Sequence, residues 1–322
     1  MKKILVLFGG NSFEHNISVR SVKTILSNID TKKYDVTACG IDLYGNWYIY
    51  NDSLNNLDEN WTTRDIKKID NIVNFLKGFY KVFPIIHGRN GEDGSISAML
   101  DLFNIPYVGA DHEGHIIGYD KVITKIICEK FDIPQLPYMI FNSDKKIKSV
   151  DIDFPLIVKP SKCGSSIGIN VAKDIKELNK YVKEALKYDN KILVEKFINV
   201  REFECAVLGY EKVKVSSVGE ILPEEEFYDY DSKYIKDTNV AIPANISKEL
   251  SDEIKEYARK IYKILDLKGL SRVDFLYDRD SNKLYFNEVN TLPGFTSISM
   301  YPLLFNHDGI NTKELITNLI EN

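Results

Sequence analysis

The spacing of apolar residues changes from block to block along this chain, and the spacings predict alternating strands and helices at the front with a strand-rich region behind. Residues 3 to 8, KILVLF, form a short continuous apolar run that predicts a buried strand ending at Gly9-Gly10. Directly after it, Val19, Val22, Leu26 and Ile29 fall on one face of a helix. The run YKVFPIIHG at 80 to 88 predicts a second strand, then a polar glycine loop, a helix from Ile96 to Phe103 and a short strand at YVG. Alternation of this kind over the first 115 or so residues argues for a parallel sheet.

Past a helix over roughly 120 to 131 the pattern changes. FPLIVKP, INVAK, KILVEKF, EFECAVLG and KVKVSSVGEI are short strand-like runs broken by one helix near 174 to 188, which suits antiparallel pairing with flanking helices. The acidic segment from Leu222 to Val240 has no helix or strand period, and its Phe227, Tyr228, Tyr230 and Tyr234 argue for a working lid over a disordered insertion. Ile254, Tyr257, Ala258, Ile261 and Leu265 form one face of a helix over 248 to 265, and SRVDFLY and KLYFNEVN flank the turn-rich DRDSN as a hairpin. These blocks divide the chain into an N-terminal α/β domain (1–118), a central domain (119–209) and a C-terminal domain (210–322) that carries the lid loop 222–240.

The hairpin carries the sharpest chemical signal. Strand alternation puts Arg272 and Asp274 on one face, and Glu288 and Asn290 on one face of the partner strand. With Tyr277 opposite Tyr285, Asp274 falls opposite Glu288, and facing carboxylates repel unless something positive lies between them. A divalent cation fits: hard oxygen donors without histidine or thiolate suit magnesium, which takes its remaining oxygens from water and substrate phosphates, so a nucleotide is implied. Charges on a solvated strand face are the plainer alternative.

Three loops add weaker signals. In VKPSKCGSSIG, 158 to 168, a strand lysine, Lys159, precedes a loop of glycine and hydroxyl residues whose amides can turn toward a phosphate. The GxxxxGK[ST] order is absent, and an ordinary turn explains the composition as well. LFGGNSFEHNIS lacks GxGxxG, and Glu14 near the helix start is favoured by the helix dipole whether or not it binds anything. HGRNGEDGS at 87 to 95 is open between a solvated turn and a substrate contact.

Composition narrows the class. A length of 322 residues allows two or three packed domains, and 42 basic against 47 acidic residues leave no positive field for nucleic acid or an anionic membrane. No apolar stretch approaches the roughly 20 residues needed to span a bilayer, and the first apolar run lacks a signal-peptide core. The four cysteines, Cys39, Cys128, Cys163 and Cys205, are far apart without a CxxC pair, which fits reduced thiols in a cytoplasmic protein.

Taken in order, GGNSFEHNIS, HGRNGEDGS, YDKVITK, IVKPSKCGSSIGI, LVEKFI, EFYDYDSKY, SRVDF and NEVNTLPGFTS resemble the motif series of the D-alanine--D-alanine ligases of the ATP-grasp superfamily, over nearly the whole chain. The resemblance implies an α/β and α+β fold in which an N-terminal parallel α/β domain is followed by two mixed α+β domains that sandwich ATP. It implies an ATP-dependent ligase that joins two D-alanines through a D-alanyl phosphate for peptidoglycan precursor synthesis, acting as a cytoplasmic homodimer without nucleic-acid or membrane partners. Asp274, Glu288 and Asn290 would hold Mg2+, with Mn2+ as the alternative ion. Lys121 and Lys159 would hold the nucleotide phosphates, Glu195, Lys196, Phe197 and Ile198 with Glu202 the adenine and ribose, and Lys233 the transferred phosphate. Glu14 would take the first substrate's ammonium, latched to Ser165 and Tyr234, with His87 beside that substrate. Arg272 and the backbone N–H of Gly294 would stabilise charge in the transition state, and Ser299 would bind the second carboxylate next to Met300.

Three positions depart from the family pattern: Cys163 stands where Glu is common, Tyr119 where Met often precedes Asp-Lys, and Ile298 where His is frequent. None removes a charged catalytic group. NEVNTLPGFTS and GGNSFEH resemble the vancomycin-resistance branch of the family, so D-serine is the alternative second substrate, while the Lys233-Tyr234 pair and the apolar Met300 favour D-alanine. A nicotinamide-dependent dehydrogenase would rest on FGGNS alone, and a nucleotide-binding regulator without turnover conflicts with the presence of every charged group.

Overall fold

A computed structural model describes residues 1–222 and 239–322. Most of the lid segment, with Lys233, Tyr234 and the aromatics Phe227, Tyr228 and Tyr230, lies outside the described residues.

Three sheets organise the described chain. The first contains β1 (Lys2–Gly9), β2 (Tyr34–Ile41), β3 (Trp47–Tyr50), β4 (Ile66–Lys68) and β5 (Lys81–Pro84) in the order β4-β3-β2-β1-β5. β1 runs parallel to β2 and β5, as the alternation predicts, whereas β3 and β4 extend the edge antiparallel. The helix His15–Asn28 follows β1 and buries Val19, Val22 and Ile25 against it. The expected strand over 80 to 88 is shorter, because after Pro84 the chain leaves the sheet and turns toward the cleft.

The second sheet, β6 (Tyr138–Phe141), β7 (Leu156–Pro160), β8 (Asn170–Ala172) and β9 (Ile192–Lys196), is antiparallel in the order β6-β9-β7-β8. The helix Ile175–Ala185, capped by Asp174, covers one face and closes a separate apolar core of Leu156, Val158, Leu178, Val182, Ile192 and Val194. The third sheet, β10 (Val200–Gly209), β11 (Lys214–Leu222), β12 (Asn239–Ala241), β13 (Gly269–Asp278) and β14 (Lys283–Asn290), is antiparallel in the order β12-β11-β10-β13-β14.

Pairing moves one expected boundary. β10, grouped by sequence with the central domain 119–209, hydrogen-bonds to β11 and β13, so the third sheet begins at Val200. Cys128 and Ile133, at the end of the helix Lys121–Lys130 and just beyond it, also pack into the core of the third sheet. Strand partners this distant in sequence leave no local trace in the hydrophobic pattern.

The helix Lys248–Ile264, capped by Ser247, buries Ile254, Ala258 and Ile261 beneath the third sheet. A further core joins the first sheet to the chain's end: Val6, Phe8 and Val22 share one apolar cluster with Leu292, Phe295, Tyr301 and Leu319. No helix among the described residues is long and apolar enough to cross a membrane.

Candidate active site between the sheets

The β13–β14 hairpin sets the floor of the cleft. Asp274 is the cross-strand partner of Glu288 and Arg272 that of Asn290, as alternation requires. The expected pairing of Tyr277 with Tyr285 is not present: Tyr277 faces Leu284 and Leu276 faces Tyr285, and the register shifts by one between Asp274 and Phe275. Asn287 is the extra residue of a β-bulge. The bulge lets Phe286 enter the core against Phe275 while Asn287 and Glu288 both line the cleft.

The repulsion expected between the two carboxylates is met by cations of the protein itself. Arg272 donates through Nε and Nη2 to the two oxygens of Asp274 at 2.8 and 2.7 Å, and its Nε stands 3.0 Å from Glu204 Oε2. Asn290 Nδ2 donates to Asp274 Oδ2 at 3.0 Å, and Lys121 Nζ pairs with Glu288 at 3.1 Å. Lys121 also donates to the Cys163 carbonyl at 2.9 Å, which ties the start of the helix Lys121–Lys130 to the glycine loop.

Among the described residues no three His, Cys, Asp or Glu side chains converge as a metal cage. The donor set is two carboxylates and one amide on a single face. That set fits a hard cation that keeps several waters and draws further oxygens from phosphates, and fits a thiophilic or imidazole-bound metal poorly.

Opposite the hairpin, Lys159 on β7 donates to Glu195 Oε2 at 2.8 Å and to Asn287 Oδ1 at 3.3 Å. The other Glu195 oxygen is 2.7 Å from Lys125, a fully buried lysine. Burial alone would raise the Glu195 carboxyl, but the two ammonium groups overcome it and hold it at about 2. The Glu195 side chain is thus committed to an ion pair, and its backbone sits in a central strand between β6 and β7. Lys196 Nζ donates to the carbonyls of Asp153 and Phe154, and the Phe197 N–H donates to Pro155. Phe197 and Ile198 form the link from β9 to β10.

The first domain contributes Glu14. Although it occupies the N-cap position of its helix, its side chain makes no capping bond. Its carboxylate instead accepts from Ser165 Oγ at 2.6 Å. Ser165 adopts a left-handed φ of 54°, a conformation of the glycine loop that aims its hydroxyl at Glu14. Glycines at 88 and 164 make room, since a Cβ at either would stand within 2.4 and 2.9 Å of the Glu14 carboxylate.

His87 follows β5 and is buried. Its Nδ1–H donates to the Leu292 carbonyl at 2.7 Å, which fixes the tautomer and leaves Nε2 to accept from Ser21 Oγ at 2.9 Å. Burial pushes its pKa down to about 4, so the ring is neutral at physiological pH.

One cleft is lined by Glu14, Ser165, Glu202, Arg272, Asp274, Glu288, Asn290, Gly294, Ser299 and Met300, together with Glu204 and Asn287. His87, Lys121 and Lys159 stand behind that lining, bonded to Leu292, to Glu288 and to Asn287 respectively. Ser299 occupies the N-cap position of the helix Met300–His307 without a side-chain capping bond, and Met300 is buried over Gly219, where a Cβ would lie 2.6 Å from its sulfur.

Sequence reasoning missed Lys125, Asn287 and Glu204. Lys125 lies one helical turn after Lys121, a spacing that places both on one face. Asn287 had a signal too, since the apolar positions of β14 step from 286 to 289 where strict alternation would give 288. Glu204 is the β10 partner of Asp274, a pairing invisible locally.

Known proteins resemble this chain over nearly its whole length. A family model described as D-ala D-ala ligase N-terminus matches residues 3–110, and one described as D-ala D-ala ligase C-terminus matches residues 127–321. A D-alanine--D-alanine ligase from Caldicellulosiruptor bescii is 44% identical, covering 99% of this chain and 94% of that protein. One from Clostridium acetobutylicum is 43% identical over 99% of this chain and 97% of its own. Among solved structures, the VanG D-Ala:D-Ser ligase from Enterococcus faecalis superimposes with a TM-score of 0.89 at 35% identity, covering 99% and 98% of the two chains. The D-alanine-D-alanine ligase from Coxiella burnetii gives 0.84 at 31% identity, covering 100% and 94%. With family models spanning both ends and relatives this similar over nearly its full length, the chain belongs to the D-ala D-ala ligase family.

Proposed function

We propose that this protein is an ATP-dependent D-alanine--D-alanine ligase that uses Mg2+, works in the cytoplasm as a homodimer and supplies the dipeptide for peptidoglycan synthesis. The observation that carries the reading is the meeting in one cleft of Glu14 and Ser165 from the front of the chain with Asp274, Glu288, Asn290 and Gly294 from its end. A carboxylate is a poor electrophile, and moving the ATP γ-phosphoryl onto it makes an acyl phosphate that an amine can attack. Lys121 and Lys159, each tied to the hairpin at Glu288 and Asn287, would neutralise phosphate charge. Asp274, Glu288 and Asn290 would hold a divalent ion, whose Lewis acidity would help neutralise phosphate oxygens.

Glu14, anchored by Ser165, holds the first ammonium. Arg272 and the Gly294 N–H lie on the cleft where charge develops as the second amine attacks. Ser299 at the N-terminus of the helix Met300–His307 offers a hydroxyl and a helix dipole to the second carboxylate. Lys233 and Tyr234 complete the reading as phosphate ligand and latch, and water exclusion by a lid protects the acyl phosphate from hydrolysis.

The structural likeness to VanG keeps D-serine in view as the second substrate, while buried, apolar Met300 beside Ser299 suits a methyl side chain better than a hydroxymethyl one. Mass-spectrometric product analysis with ATP and D-alanine alone, then with D-serine or D-lactate added, decides. D-Ala-D-Ala with ADP and phosphate is expected, and the ligase reading is wrong when neither dipeptide nor depsipeptide forms.

A further inference from the structure

The segment after β14 carries Gly294 and Ser299 into the cleft as irregular chain, so no strand ladder fixes where these groups point. Its anchors come from the first domain. Glu92, in the glycine-rich loop HGRNGEDGS, accepts the backbone N–H of Thr291 and of Leu292 on one carboxylate oxygen, at 2.9 and 3.0 Å. Its other oxygen accepts the N–H of Gly88 at 3.0 Å. His87, from the same loop, donates to the Leu292 carbonyl at 2.7 Å. Leu292 is therefore gripped through both of its backbone groups by one loop some 200 residues earlier in the chain, as the separation of its bond to Glu92 records.

When Glu92 is ionised, the bonds it accepts from these amides are charge-assisted and roughly twice as strong as neutral ones. They fall on the two residues that follow Asn290 and precede Gly294. We infer that Glu92 is a positioning residue: its carboxylate clamps Thr291 and Leu292 and thereby sets the aim of the Gly294 N–H and of Ser299 toward the second amino acid. This deepens the ligase reading and rests on it for the identity of the substrates. A solvated turn would not place a side chain of that loop against three backbone donors.

The test compares wild type, Glu92→Gln and Glu92→Ala by steady-state titration of D-alanine and of ATP, and by hydrogen exchange of the peptide amides at 291 and 292. A small displacement of a catalytic group costs on the order of 100-fold, so Glu92→Ala is expected to lower kcat/KM for D-alanine about 100-fold. The KM for ATP, bound across the cleft, should stay within about threefold, because the lost interaction serves the amino-acid step. Glu92→Gln keeps one acceptor oxygen for Thr291 and Leu292 and should lose only about 10-fold. Exchange at 291 and 292 should speed up in Glu92→Ala.

Unchanged exchange at those amides, or equal losses on ATP and D-alanine, would overturn the clamp. Should Glu92→Ala fail to fold, Glu92→Gln decides alone, and wild-type kinetics with wild-type exchange there defeat the proposal. A wild-type protein that forms no dipeptide sinks the functional reading separately, since the clamp is then judged by amide exchange.

Discussion

Asp274 stands directly across from Glu288, although the adjoining pair Phe275 and Phe286 follows a register one residue different. Asn287 takes up the difference. Were Asn287 in regular alternation rather than bulged, Glu288 would share the face of Phe286 and its carboxylate would be driven toward the core.

The hairpin carboxylates should therefore matter more to turnover than to folding. Glu288→Gln keeps shape and removes a charge that Lys121 balances at 3.1 Å. Activity is expected to fall by at least about 100-fold through lost metal and phosphate neutralisation, while the urea midpoint changes little. Wild-type turnover in this variant, measured by phosphate release, would remove Glu288 from the metal site.

Deleting Asn287 tests the bulge. Removing the extra residue restores strict alternation with Phe286 still in the core and Glu288 still across from Asp274, so the Tm should change little, while loss of the Asn287 oxygen that Lys159 meets at 3.3 Å should weaken ATP binding. A large drop in Tm on calorimetry would show that the bulge itself stabilises the hairpin.

Lys125→Met addresses the buried ion cluster. Among the described residues it leaves Glu195 with Lys159 as its one ammonium partner. Removing one partner of a buried charge group costs about 3 to 5 kcal/mol, and Lys159 is drawn toward Glu195 and away from phosphate. Denaturant unfolding and the KM for ATP should both move. A variant with normal ATP KM would show that Lys125 serves stability alone.

Ser165 separates backbone strain from chemistry. Its φ of 54° suits glycine. Ser165→Gly should be more stable than Ser165→Ala by roughly 1 kcal/mol. Both lose the hydroxyl that Glu14 accepts, and both should lose activity to a similar degree. Equal stability of the two variants would show that the loop relaxes freely.

Acid sensitivity follows from two buried histidines. Burial lowers His87 and His115 to about 4, the latter bonded through Nδ1 to Thr291 Oγ1. The unfolded chain takes up protons near pH 6.5 that the folded chain refuses, so this stability is complete above about pH 6.5 and drains away as pH falls toward 4. Glu92 works in the opposite sense. Burial and the nearby Glu14 charge raise it to about 7, so its contribution is complete below the ordinary value of 4.5 and is lost as pH rises through 7. His115→Asn should flatten the acid limb of a urea-midpoint profile, and an unaltered slope would remove His115 as a source.

The elements with a strong period were legible in sequence: the first strand, the helix His15–Asn28, the helix Lys248–Ile264 and the hairpin that holds Asp274 and Glu288. The two helices each bury one face, the first strand buries both in a continuous apolar run, and the hairpin is marked by its turn residues, so each signal is local. What escaped depended on distant partners. β10 looks like any alternating strand and reveals its sheet only through β11 and β13. Glu195 reads as a strand-end acid beside the nucleotide, yet Lys125 and Lys159 enclose its carboxylate from separate elements. Glu92 was visible as part of a glycine loop, but the amides it serves lie at the far end of the chain.

The apolar residues that hold the β6–β9 unit together all come from between 139 and 194. What fastens this block to the hairpin across the cleft includes Lys159 with Asn287, and close by Lys121 with Glu288. Such contacts can be traded for water or phosphate at little net expense, unlike a greasy seam that must expose hydrocarbon to part. Parting the block from the hairpin would therefore expose little hydrocarbon, and in the ligase reading the Lys159 ammonium would exchange the Asn287 oxygen for one of a phosphate.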